Sequence, residues 1–263
     1  MSAERNRPLL PFFLLVFLLS IPFWIAGYAA EGLARLLPVA LPVSALMAFM
    51  PALAALILLW RQEGRAAAIF LLKRSFDIAR VKKRRWIVVA ALFMPAVLFA
   101  AWLLMASAGV PMPSPVIHIT ALPLLFVMFF VAGLGEELGW QGYAYDTMEA
   151  RWTALPAALL LGIVWALWHV IPYFQTGHGT AWVAWHCGMT ILLRVATVWL
   201  YVNGGRSVFI AAFFHAMCNV AYFSFPNAGS HYDPAFAFPV MLAATAAIVL
   251  LWSPKSLARF RFG

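Results

Sequence analysis

The sequence predicts an all-α membrane protein of about eight transmembrane helices with both termini in the cytoplasm. Three observations lead there. First, the 263-residue chain is 65% hydrophobic and only 10% charged, with mean hydropathy +0.90, whereas a soluble domain carries about 25% charged residues. So little polar material cannot cover the chain in water, and a bilayer is the solvent that suits it. Second, apolar runs recur that reach the length of about 20 residues needed to cross a hydrocarbon core. Third, the basic residues gather between alternate runs. The net charge of +9 therefore orients a membrane protein and does not point to nucleic acid.

The first expected span covers about 9–30, after Arg5 and Arg7. Its apolar stretch exceeds the roughly 7–15 residues of a signal-peptide core, so a retained helix is expected. The next seven cover about 38–60, 86–109, 119–145, 154–173, 181–201, 207–225 and 236–252. All should be helices, because lipid offers no partner to an open backbone group. Breaks fall at PMPSP (111–115), Gly177-His178-Gly179, Asn203-Gly204-Gly205 and PNAGS (226–230). No repeat and no separate soluble domain is visible, so residues 1–263 read as a single transmembrane domain.

With the N-terminus in the cytoplasm, sixteen of the 18 Lys and Arg residues fall on cytoplasmic segments. Arg35 is outside, and Arg194 lies within a span. Such a bias supports both the count and the orientation of an integral membrane protein. Loop 61–85 interleaves basic residues with Ile69, Phe70, Phe76, Ile78 and Val81. It reads either as an amphipathic segment on anionic lipid or as a solvated loop that sets topology. Cys187 and Cys218 sit in apolar runs and imply neither a disulfide framework nor a metal cluster.

Ionisable groups at membrane depth cost from about 2.5–3.5 kcal/mol each at a helix centre, which makes them functional candidates by default. Here they are Glu136, Glu137, His169, His186, Arg194 and His215, with Asn219 as an uncharged companion. In an antiparallel hairpin, residues equidistant from the turn share a depth. Glu136 and His169 are equidistant from the turn at 151–153, and Arg194 and His215 from the turn at 203–205. Both pairs should lie level, about 15 Å from the cytoplasmic face at 1.5 Å rise per residue. His215 and Asn219, four apart, share a face, as do Trp165 and His169. Glu137 and Gln141 are also four apart, with Glu136 about 100° away. Gly135, Gly139 and Gly142 form a stripe suited to close helix packing. His186 taken alone is expected to make a structural hydrogen bond.

A carboxylate partly buried among apolar groups suits a general base that takes a proton from water. His169 can hold the same water or donate to a leaving group, and His215 with Asn219 offers N–H donors for an oxyanion. Glu136, His169 and His215 are also a familiar zinc ligand set with water in the fourth position. There is no HExxH, no Gly-x-Ser-x-Gly elbow and no glycine-rich phosphate loop.

Three motifs now stand in order on separate spans: EELGWQ at 136–141, WALWH at 165–169 and HAMCN at 215–219. They resemble the EExxxR, F/WxxxH and HxxxN motifs of the CPBP intramembrane protease family, which includes CAAX proteases and bacteriocin-processing enzymes and is also called Abi. The flanks GWQGY and WALWHVIP look bacterial. The likeness covers about 119–225 and implies an endopeptidase acting on a membrane-associated or lipid-modified protein or peptide. It implies Glu136, Glu137, His169, His215 and Asn219 as the catalytic set, with Glu136 activating water and His215 and Asn219 supporting the oxyanion. For that family both a zinc mechanism and a metal-independent glutamate mechanism have been put forward, and the second is preferred here. One position departs from the pattern: Gln141 stands where the motif has arginine. Glu137 then needs another cation, and Arg194 is the basic residue within a span. The competing readings are a non-proteolytic immunity or scaffold protein of the same fold, and a proton-coupled transporter. A transporter would often show two similar halves, which this chain lacks.

Overall fold

The computed structural model describes residues 7–29, 42–114, 116–227 and 229–258. Arg5, Arg35, Arg259 and Arg261 lie outside the described residues, as do residues 38–41 at the start of the expected second span. The described elements are helical. Helix α1 spans Leu9–Ala29, and a 3-10 turn Val43–Phe49 runs into α2, Met50–Glu63. A short helix α3, Arg65–Lys73, and a 3-10 segment Arg74–Arg80 precede α4, Arg85–Ser107. Helix α5, Leu122–Gly139, continues through a π-helical segment Trp140–Tyr145 into α6, Asp146–Trp152. Helices α7 (Ala154–Gln175), α8 (Thr180–Asn203), α9 (Val208–Ser224) and α10 (Pro234–Leu251) complete the bundle.

Seven of these helical stretches are long and apolar enough to cross a membrane, and α9 is a shorter apolar helix of 17 residues. The eight stretches follow the order expected from the sequence. The fourth is longer than expected, since helix continues beyond Tyr145 to Trp152. Pro22, Pro95, Pro172 and Pro239 lie inside helices, as membrane helices tolerate.

Helix α5 is packed between α2 and α9, α7 packs on α8, and α8 on α10. Two glycines explain how closely α5 approaches its neighbour. A Cβ at Gly135 would lie 2.6 Å from the Ala48 carbonyl oxygen, and one at Gly139 would lie 2.5 Å from Pro51. The packing role read from the glycine stripe therefore holds at these two positions. The outer faces of α1 and α4 expose Leu10, Leu14, Leu18, Val88, Leu92 and Phe99. Such flanks suit lipid and are costly in water.

The charged loops meet at one end of the bundle. Arg7 pairs with Glu63 at 3.1 Å, and Arg206 pairs with Asp146 and Glu149, both at 2.6 Å. Burial works against the charge on Arg206, but these two carboxylates outweigh it and raise its pKa. Loop 61–85 proves to be structured and docked. Leu71 and Arg74 turn inward, while Ile69, Phe70, Phe76 and Ile78 face out. Asp77 accepts hydrogen bonds from the Ser207 hydroxyl and the backbone N–H groups of Val208 and Phe209. It thus caps α9 where a carboxylate complements the helix dipole.

Candidate active site

A cavity of about 730 Å³ opens among α5, α7, α8 and α9, and its lining includes Glu136, Trp165, His169, His186, His215 and Asn219. Each projects from a helix, so its position is set by packing rather than by a loop. The three sequence motifs therefore converge on one space, as the hairpin arithmetic predicts. Glu137 does not line this cavity and is fully buried behind it.

The two glutamates have different partners. Glu136 Oε2 accepts hydrogen bonds from the Trp165 indole N–H at 2.6 Å and from the Trp140 indole N–H at 3.3 Å. Its Oε1 lies 3.8 Å from His215 Nε2. Glu137 Oε1 bonds His215 Nδ1 at 2.9 Å, and Glu137 Oε2 accepts from Arg194 Nη1 at 2.7 Å. Arg194 is entirely buried, and its guanidinium lies 4.0 Å from the centre of the Trp165 ring. A buried carboxylate is costly unless paired and hydrogen-bonded. Glu137 meets both conditions, and the cation it needed is Arg194, as the sequence indicated.

Gln141 is a correction to the regular-helix reading. It does not bond Glu137, and both polar atoms of its buried amide lack a hydrogen-bond partner among the described residues. The reason is the π segment, which begins at Trp140. Bonding from i to i+5 widens the turn, so an offset of four residues no longer stacks one side chain over another. The wide turn also takes carbonyls off the regular ladder. The Gly142 carbonyl oxygen accepts from Arg7 Nη1 at 3.4 Å and from Arg74 Nη1 at 3.3 Å.

His169 Nδ1 lies 2.9 Å from the Trp165 carbonyl oxygen one turn earlier. A carbonyl only accepts, so Nδ1 carries the proton in this bond and neutral His169 has its lone pair at Nε2. No hydrogen bond joins His169 directly to Glu136 among the described residues, although both border the cavity. Asn219 lines the cavity one turn beyond His215. His186 bonds the Tyr232 hydroxyl at 3.1 Å, the structural contact expected of it, and also borders the cavity.

The possible zinc set fits poorly as the side chains stand. Among the described residues, no three His, Cys, Asp or Glu side chains form a group that could hold a metal ion.

Sequence reasoning missed the work of Trp165 and Trp140. Both are buried indoles, and a buried indole N–H seeks an acceptor. Their spacing of four from His169 and Glu136 was visible, but not that both would converge on one carboxylate oxygen.

Residues 117–221 match the family model described as Type II CAAX prenyl endopeptidase Rce1-like. A relative from Methanococcus maripaludis, CAAX prenyl protease 2, is 30% identical over 106 residues. That alignment covers 37% of this chain and 39% of the relative, well under half of either protein. The matched region spans α5 to α9, the helices that carry the site. Both comparisons are with CAAX proteases and fall on the stretch that holds the three motifs, so this part of the chain is similar to that family.

Proposed function

We propose that this protein is a membrane-embedded endopeptidase that hydrolyses a peptide bond in a membrane-associated or lipid-modified protein or peptide. The observation that carries this reading is the Glu136 carboxylate, buried yet bordering a cavity shared with His169, His215 and Asn219. Apolar walls that include Met47, Phe49 and Val131 suit an acyl, prenyl or apolar peptide segment beside the scissile bond.

In the proposed reaction a water bridges Glu136 and the Nε2 lone pair of His169. Glu136 takes one proton as the water oxygen attacks the peptide carbonyl. Negative charge develops on the carbonyl oxygen and is met by the Asn219 amide N–H and by Nε2–H of protonated His215. Glu136 then delivers its proton to the departing amine, the C–N bond breaks, and acid and amine products leave. Glu137 and Arg194 hold His215 and Trp165 in place and take no proton. The membrane orientation that goes with this reading puts the basic end of the bundle, and both termini, in the cytoplasm.

The test is reconstitution of wild type, Glu136→Ala and His215→Ala in liposomes with a library of lipidated and unmodified peptides. Cleavage by wild type alone supports the proposal. Absence of cleavage by all three favours a scaffold, and cleavage that persists in Glu136→Ala removes the proposed base. Activity that survives a chelator supports the glutamate type, and loss restored by zinc supports the metal type.

A further inference from the structure

A second cavity, of about 810 Å³, lies at the basic end of the bundle, away from the catalytic residues. Arg80, Lys82, Lys83 and Arg85 line it, and among the described residues no carboxylate does. The adjacent acid is Asp77, 3.7 Å from Arg80, but it also faces Arg74 at 3.5 Å and caps α9. Four cations around one hollow repel each other unless an anion joins them.

The opposite wall is aromatic. Trp86, Trp199 and Trp252 come from α4, α8 and the end of α10 and also line this cavity. Trp199 meets Trp86 edge-on at 5.1 Å and Trp252 edge-on at 4.9 Å between ring centres. Asn203 ties α8 to the chain after α10 by donating to the Leu257 carbonyl at 2.7 Å, so the hollow is braced from both sides. Indoles mark headgroup depth in a membrane protein, and basic pockets between transmembrane helices hold anionic headgroups.

We infer that this cavity binds the phosphate headgroup of an anionic glycerophospholipid. Lys82, Lys83 and Arg85 contact the phosphate, and the indoles contact the glycerol and the first acyl carbons. The volume exceeds what a free phosphate fills. The wall also continues through Val89 onto the outward apolar flank of α4, where Val88 and Leu92 can carry the acyl chains. The binding site stands apart from the protease reading and does not need it.

The full chain, purified in detergent, is titrated with phosphatidylglycerol or phosphatidylcholine and retained lipid is read by native mass spectrometry. Lys82 and Lys83 are exposed, so Lys82→Gln/Lys83→Gln is expected to fold. The expected result is selective retention of phosphatidylglycerol by wild type and a loss of roughly tenfold in that variant. A control, Arg61→Gln/Arg65→Gln, removes equal charge outside the cavity and should retain lipid as wild type does. Equal retention of both lipids, or equal loss in both variants, overturns the site in favour of diffuse surface charge. Displacement of phosphatidylglycerol by excess inorganic phosphate overturns the lipid in favour of a free anion.

Discussion

Glu136 and Glu137 are neighbours in the chain, but they look into different surroundings. Glu136 borders the cavity and is steered by two indoles, while Glu137 is locked between Arg194 and His215. Removing one member of a buried ion pair costs about 3–5 kcal/mol, because the other charge is stranded. Arg194→Leu should therefore lower stability sharply in denaturant unfolding, and Arg194→Leu/Glu137→Gln should recover part of the loss. A single variant as stable as wild type would contradict this pairing. Trp165→Phe keeps an aromatic face under Arg194 but removes the 2.6 Å bond to Glu136. Hydrogen bonds to charged groups contribute about 1.5–3 kcal/mol to stability, so the melting temperature should drop, and loss of this hold on Glu136 should lower proteolytic kcat/KM roughly tenfold to a hundredfold.

At the scale of elements, the site depends on how closely α5 approaches its neighbours and on how α9 is held. Gly139→Ala would force a methyl into Pro51, and overpacking of this kind costs about 1–3 kcal/mol. Thermal unfolding in detergent should show a lowered midpoint, whereas an exposed change such as Ala66→Gly should matter less. Asp77→Ala removes the acceptor of the Val208 and Phe209 N–H groups at the start of α9 while the Ser207 cap on Ile210 remains, with an expected cost of about 0.5–2 kcal/mol. His215 is on that helix, so activity should fall with stability, and an unchanged enzyme would show that the cap does not matter. The helices, their order and the level placement of Arg194 with His215 were legible from hydropathy and from distances to turns. The π segment was not, because no residue preference marks it. It coincides with Gly142 against Leu71 and with Arg7 and Arg74 on the Gly142 carbonyl, contacts made by distant parts of the chain. The docking of 65–80 was hidden for a similar reason: its basic pattern looks the same whether Arg74 is solvated or buried against Tyr201.

For the whole molecule, alternation of the loops brings the described basic residues other than Arg194 to one end. In the proposed orientation that end faces the cytoplasm. A cysteine at Lys83 should react with an impermeant maleimide only in opened cells, and one at Ser230 should react in intact cells, each against the background of Cys187 and Cys218. The reverse pattern would invert the topology. Of the candidate site, sequence alone named Glu136, Glu137, His169, His215 and Arg194, since ionisable groups are rare at membrane depth and therefore conspicuous, with Asn219 one turn from His215. It could not supply the cavity or the convergence of two indoles, which depend on how four helices rotate about their axes. The most direct measurement is cleavage of a membrane-inserted peptide by the purified protein in liposomes, comparing wild type with Glu136→Gln. The amide keeps the shape and an acceptor for the indoles but cannot take a proton from water at neutral pH. Glutamate-activated hydrolysis predicts a loss of about 1,000-fold or more in kcat with the fold intact, and a Glu136→Gln protein that cleaves as fast as wild type would contradict it.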